Sequence, residues 1–131
     1  SGENIEIAAD ALGADLIKNV KFDDELSQLS DIAASTIYDC DEAVKITAYA
    51  GSGASADEIA IFEAADSEKA AEIENKIEQY LKTQKKSFAD YNPKELIKLN
   101  KPILIRKGKY VIYCITGDYY DAETVIKNYI E

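Results

Sequence analysis

The sequence contains no histidine, and only two of its 131 residues are cysteines. Without histidine the chain cannot form a Ser/His or Cys/His catalytic pair, a histidine-ligated zinc or iron site, or the usual general base near neutral pH. Cys40 and Cys114 are too few and too far apart for a structural zinc site or a CxxC redox motif, although one disulfide between them stays open. The sequence therefore predicts no catalytic residue and no cofactor.

Basic residues and long apolar runs are also scarce. Fifteen Lys and Arg residues against 25 Asp and Glu residues give a net charge of −10, which repels nucleic-acid phosphates and anionic lipid head groups. No apolar run approaches the roughly 18 residues of a membrane-spanning helix, and no secretion signal opens the chain. Because the chain starts with Ser1 and Gly2 and not with methionine, we expect a trimmed or processed, soluble product that binds no nucleic acid.

The composition that remains is typical of one globular domain. A chain of 131 residues that is 47% apolar and 31% charged is long enough to bury one core, so we predict a single domain over residues 1–131. At about 4–38, apolar residues recur at steps of three and four and predict one or two N-terminal helices. The acidic residues 23–25 are expected to cap the second helix, which carries Leu26, Leu29 and Ile32.

Two hairpin–helix units account for most of the remaining chain. The first, at about 43–88, has an alternating strand, a glycine-rich connection at 51–53, an apolar strand and a helix capped by Asp66 or Ser67. A short helix follows at about 93–99, and the second unit, at about 103–131, has a hairpin turn at Gly108. An offset of 52 residues aligns the two units, for example Ile61 with Tyr113.

These units predict an α+β fold with a four-stranded antiparallel sheet, preceded by the N-terminal helices. We expect both long helices on one face of the sheet. The strands at 60–62 and 111–115 are apolar on both faces, which indicates that both faces are covered. The N-terminal helices are the expected cover of the second face, and a second protein chain is the alternative.

Four short segments in this order resemble the bacterial domain-of-unknown-function family 4358. They are ADEIAIFEA at 56–64, QKKSF at 84–88, YNPKE at 91–95 and GKYV at 108–111. Members of that family look like small lipoproteins of Firmicutes. The resemblance implies an extracytoplasmic domain that is lipid-anchored to the cytoplasmic membrane in the full-length protein, through an anchor that this chain lacks. It implies no catalytic residue, substrate or cofactor.

Carboxylate clusters are the candidates for metal binding or acid–base chemistry. Asp118, Asp121 and Glu123 form one cluster, and a second lies at 39–42. Either could hold calcium or supply the paired carboxylates of a hydrolase, but neither has EF-hand spacing. Both lie where helices begin or end, so helix capping and solvated charge are the simpler interpretation. Likewise, the glycine-rich segment at 51–53 is better explained as a hairpin connection than as a phosphate cradle.

A possible interaction surface is formed by Asp57, Glu58, Tyr119 and Tyr120. Glu58 shares an alternation with Ala60 and so can point inward, although an edge charge that blocks strand pairing is the simpler explanation. Tyr119 and Tyr120 are expected to be exposed.

From these observations we expect a non-enzymatic binding or protein-interaction module. Its partner would be an unidentified envelope or surface protein, and the domain would be a monomer or a homodimer. The alternatives are a carboxylate-dependent hydrolase acting on cell-envelope material and a calcium-stabilised structural domain.

Overall fold

The computed structural model describes residues 4–131 and contains five α-helices and five strands in that part of the chain. In chain order they are α1 Ala9–Asn19, β1 Ser27–Gln28, α2 Asp31–Tyr38, β2 Ala43–Ala50, β3 Glu58–Ala64, α3 Ser67–Tyr91, α4 Leu96–Leu99, β4 Ile103–Lys107, β5 Tyr110–Ile115 and α5 Tyr119–Ile130. The five strands form one antiparallel sheet in the order β1-β2-β3-β5-β4. The predicted α+β class is confirmed, and each predicted hairpin is followed by its helix. Ser1 and Gly2, on which the prediction of processing depends, lie outside the described residues.

The predicted count of four strands is wrong, because β1 adds a fifth at the free edge of β2. Ser27 and Gln28 pair with Ala50 and Tyr49, where a helix was predicted. Leu26 and Leu29 contact opposite faces of the sheet, as residues three apart in an extended chain must. The helix begins only at Asp31, where the Ser30 hydroxyl accepts a hydrogen bond from the backbone of Ala33.

The two long helices lie on opposite faces of the sheet, so the prediction that they share a face is wrong. Helices α2, α3 and α4 pack on one face, while α1 and α5 pack on the other. Ile61 and Tyr113, which the offset of 52 residues aligns, point to opposite faces. Strands β3 and β5 are apolar on both faces, so they show no alternation of polar and apolar residues. The sequence therefore did not indicate on which face of the sheet the following helix packs. The second face is covered by α1, as expected of the N-terminal helices, and by α5, whereas α2 lies on the face of α3.

The two cysteines are free and lie in different cores. Cys40 packs on the α3 side of the sheet and Cys114 on the α1 side, so the disulfide left open by the sequence does not form. Cys40 is buried. Burial, and then the carboxylate of Glu42, raise the pKa of the Cys40 thiol to about 11. Within residues 4–131, none of the helices combines the length and the apolar character that crossing a membrane requires.

Candidate functional site

A cavity of about 320 Å³ opens between the β2–β3 connection and the second half of α3. This volume lies at the lower end of the range of small-molecule sites, roughly 300–1,000 Å³. Helix α3 forms one wall with side chains at helical spacing, including Tyr80, Gln84, Ser87 and Phe88. The opposite wall is the connection at 51–57, and the first residue of β3, Glu58, contributes a carboxyl group.

Glu58 is buried at the end of the central strand, with 5% of its surface exposed. Strand β3 pairs with β2 on one side and β5 on the other, so the interpretation of Glu58 as an edge charge is wrong. Its side chain points to the α3 side of the sheet, together with those of Ala60 and Phe62. The inward position that alternation allowed is therefore the one that Glu58 occupies.

Two tyrosine hydroxyls donate hydrogen bonds to one oxygen of this carboxyl group. Tyr38 of α2 and Tyr80 of α3 both bind Oε2, the latter at 2.8 Å. The other oxygen, Oε1, accepts no hydrogen bond from the part of the chain that the structure describes. Burial raises the pKa of Glu58 to about 7, although the two tyrosine hydrogen bonds act to lower it. Protonated and ionised forms of Glu58 are therefore close in free energy at neutral pH.

A chain of aromatic rings holds these hydroxyl groups in place. Tyr38 packs edge-on against Phe62 and Tyr80, with ring centroids 5.2 Å apart in each pair. Tyr80 in turn packs against Tyr113 at 6.0 Å. The Tyr113 hydroxyl is the one buried side-chain oxygen or nitrogen in residues 4–131 that has no hydrogen-bond partner. Edge-to-face contacts of this kind fix ring orientation, so the carboxyl group meets preformed donors.

Asp57, the neighbour of Glu58, belongs to a separate cluster around Lys98. The Lys98 ammonium lies 2.9 Å from Asp57 Oδ1, 2.9 Å from Glu95 Oε1 and 2.6 Å from Asp23 Oδ2. Burial acts to lower the pKa of Lys98, but hydrogen bonds to the three carboxylates raise it above its ordinary value.

Backbone groups complete this Lys98 cluster. Asp57 Oδ2 accepts hydrogen bonds from the backbone N–H groups of Asp23 and Asp24, and Glu95 Oε1 accepts one from Ala56 at 2.8 Å. Asp57 is therefore fully engaged in fixing the β2–β3 connection to α4, through Lys98, and to the segment between α1 and β1, through Asp23 and Asp24. The two acidic neighbours that the sequence presented as one polar pair have different environments and different roles.

Sequence comparison adds the family of this chain. Residues 13–116 match the family described as Domain of unknown function (DUF4358). The chain belongs to this family. The matched region runs from α1 to the end of β5, so Glu58, Lys98 and the walls of the cavity all lie within it. The chain matches no curated protein and no solved structure.

The glycine-rich connection of this DUF4358 domain is tied down by a carboxylate. The backbone N–H and the hydroxyl of Ser52 both donate to Asp24 Oδ2 at 3.1 Å. A Cβ atom on Gly51 would overlap the same carboxylate, so a larger residue there would displace Asp24 from this position. The Ser52 amide, which a phosphate cradle would offer to its ligand, already donates to the Asp24 carboxylate. The glycine-rich segment is therefore better explained as a hairpin connection than as a phosphate cradle. Asp24, expected to cap a helix, fixes the connection instead.

The predicted carboxylate clusters do not form a metal site in the DUF4358 domain. Asp118 accepts a hydrogen bond from the backbone of Lys21 at 2.9 Å, and Glu123 accepts one from Tyr119 at 3.2 Å. Asp121 is exposed. At 39–42, Glu42 forms an ion pair with Lys76 at 3.1 Å. Among residues 4–131, no group of three Cys, Asp or Glu side chains is arranged to hold a metal ion.

Tyr119 and Tyr120 lie at the start of α5, away from the cavity. Their rings meet edge-on at 5.5 Å, and the Lys101 ammonium lies 4.5 Å and 4.6 Å from the two ring centres. Tyr120 is exposed, whereas Tyr119 is half-buried and not exposed as expected. Their role as an interaction surface stays a prediction.

Sequence analysis did not single out Tyr38, Tyr80 or Lys98. The spacing of Glu95 and Lys98, three residues apart on a predicted helix, was the one available signal for part of this arrangement.

Proposed function

We propose that this domain is a non-enzymatic binding module that holds a small molecule in the cavity beside α3. The observation that carries the proposal is the Glu58 carboxyl group, which is buried against the cavity and has one oxygen without a partner among the described residues. An acceptor that has no protein partner and lies beside an open concave space is a natural contact for a ligand.

The surroundings of Glu58 favour binding over catalysis. Acid–base hydrolysis of a glycoside requires two carboxyl groups that face the substrate. Asp57 also lines the cavity, but its two oxygens are held by Lys98 and by backbone N–H groups. Glu58 is thus the carboxyl group that remains for a ligand, and its fixed tyrosine partners suit a preformed binding site better than a reacting pair.

The family resemblance supports a further part of the proposal, that the domain acts outside the cytoplasmic membrane as the lipid-anchored portion of a longer protein. In that setting the bound molecule, or an envelope protein that senses it, would be the partner. Fractionation and external protease treatment of cells that produce the tagged full-length protein test this location. Recovery in the cytosolic fraction, protected from protease, contradicts it.

Nuclear magnetic resonance provides the test of binding. A panel of neutral, cationic and anionic small molecules is titrated into the ¹⁵N-labelled domain, and shifts are expected at the cavity amides, such as those of Gly53, Ser55 and Ser87. Gln84→Trp, which fills the cavity, is expected to abolish these shifts. Gln79→Trp, on the exposed side of the same helix, is the matched control and is expected to retain them. Shifts that survive Gln84→Trp, or no shift from any compound, contradict the proposal.

A further inference from the structure

We propose, as an extension that rests on the function proposed above, that the cavity takes a small organic cation, an amine or a quaternary ammonium compound. In this arrangement Glu58 Oε1 meets the positively charged group, and the apolar body of the ligand lies along the aromatic side chains of α3. The proposal follows from three features of the cavity: its charge, the orientation of its carboxyl group and the spacing of its aromatic residues.

The charge around the cavity excludes anions as natural ligands. Glu58 supplies a carboxyl group to the cavity, the Asp57 side chain being fully buried against Lys98, and none of the lining residues is Lys or Arg. The Lys98 ammonium binds Asp57, but it also binds Glu95 and Asp23. One positive charge therefore faces three carboxylates, and the Lys98 cluster remains negatively charged. The chain as a whole carries a net charge of −10. A cation is attracted to such a site, whereas an anion is repelled.

The orientation of the Glu58 carboxyl group separates cations from neutral ligands. Both tyrosine donors bind Oε2, which leaves Oε1 as the acceptor for a ligand. An ionised carboxylate buried in this position is costly without a counter-charge. A bound cation supplies that charge, while a neutral ligand of the same shape does not.

Aromatic side chains complete the site. Tyr80, Phe88 and Tyr91 line the same side of α3, with Tyr91 exposed at the rim and its ring centre 5.9 Å from that of Phe88. Ammonium groups bind favourably over aromatic faces, and aromatic side chains are a recurrent means of holding quaternary ammonium ligands. The combination of one buried carboxylate with several rings therefore matches an amine that carries an apolar body.

Binding of such a cation is coupled to the ionisation of Glu58. The groups that face its carboxyl group are the hydroxyls of Tyr38 from α2, Tyr80 from α3 and Tyr113 from β5, and burial raises the pKa of each of them. These hydroxyls stay neutral near pH 7, so Glu58, with a pKa of about 7, is the group that titrates. A cation binds the ionised form, so its affinity increases as the pH rises through 7 and then levels off.

Matched probes test the proposal. Choline is compared with its uncharged analogue 3,3-dimethylbutan-1-ol, and phenethylamine with 2-phenylethanol, by titration of the cavity amides. At pH 8 each cation is expected to bind at least about ten-fold more tightly than its neutral analogue. At pH 6 the cations are expected to bind about ten-fold more weakly than at pH 8, because most Glu58 is then protonated.

Glu58→Gln keeps the shape of the side chain and is expected to remove both the preference for cations and the pH dependence. Glu78→Gln, an exposed change on α3, is the matched control and retains both. The pH profile of the unaltered protein tests the same point if Glu58→Gln fails to fold.

Three results overturn the inference. If the neutral analogues bind in the cavity as tightly as the cations, the preference for organic cations is refuted, but the proposal of a binding module is not. If calcium chloride shifts the cavity amides and neither amine does, the conclusion is the same. The absence of any response at the cavity amides to these probes and to the wider panel overturns both proposals.

Discussion

The buried carboxyl group of Glu58 should make the domain less stable as the pH rises, which is the reverse of ordinary acid denaturation. The pKa of Glu58 is about 7 in the folded chain against an ordinary value of 4.5. Below pH 4.5 the group is protonated in both states and contributes nothing. Between 4.5 and 7 the unfolded chain releases the proton while the folded chain keeps it, so the free energy of unfolding falls. Above pH 7 the loss is complete and constant, about 3 kcal/mol.

The absence of histidine makes this effect measurable. No other side chain of ordinary pKa titrates between about pH 5.5 and 8 in this sequence, so few other groups contribute there. Glu58→Gln removes the titrating group but keeps an oxygen that can accept from Tyr38 and Tyr80. The free energy of unfolding of Glu58→Gln, minus that of the unaltered protein, is therefore expected to increase by about 2 to 3 kcal/mol from pH 5 to pH 8.

The assay is urea unfolding followed by circular dichroism at pH 5, 6, 7 and 8, with both proteins at the same salt concentration. Glu78→Gln, exposed on α3, is the control and should follow the unaltered protein at every pH. A difference for Glu58→Gln that stays constant within roughly 0.5 kcal/mol across the series refutes the reasoning. It would mean that the tyrosine donors stabilise the ionised carboxylate enough to cancel the cost of burial.

Two further expectations concern the Lys98 cluster and the thiols. Lys98→Met leaves the buried carboxylates of Asp57 and Glu95 without a counter-charge and should cost about 3–5 kcal/mol in urea unfolding. Lys45→Met breaks only an exposed pair and should cost less than about 1 kcal/mol, so equal losses contradict the structural role of Lys98. Cys40 and Cys114 are both buried, and should react with Ellman's reagent at pH 8 far more slowly in the folded protein than in urea. Fast labelling of either thiol in the folded state would place it at the surface.

Local sequence patterns predicted most helices and strands because each pattern needs only neighbouring residues. The apolar stripe of α3 and the Asp66 cap are examples, and the Asp66 carboxylate accepts a hydrogen bond from Lys69 as its position predicts. The turn at Gly108, which has a positive φ of 56°, is another.

The errors arose where structure depends on partners far away in the chain. Strand β1 has two residues, too few for any period, and exists because the edge of β2 offers backbone groups to pair with. The residues of β5 are buried on both faces of the sheet, so their pattern does not show on which face α5 packs.

The candidate site was found only in part for the same reason. Alternation indicated that Glu58 can point inward, but its tyrosine partners lie 20 and 22 residues away, on two different helices. The sequence also grouped Asp57 with Glu58 in one candidate interaction surface. The two residues differ because of Lys98, which lies 41 residues beyond Asp57 in the chain and binds its carboxylate. Among the residues that the structure describes, Glu58 has no such partner, and it lines the cavity.

Glu58 begins the strand that has hydrogen-bonded neighbours on both sides and helices on both faces. Backbone amides in such a strand exchange with deuterium only when the domain opens as a whole. A ligand held by Glu58 therefore opposes global opening, by mass action, and does not merely order a mobile rim. Its occupancy would slow deuterium uptake in β5, across the sheet, as much as in β3 beside it. The proposed binding group would then lie at the start of the central strand, where exchange is expected to be slow.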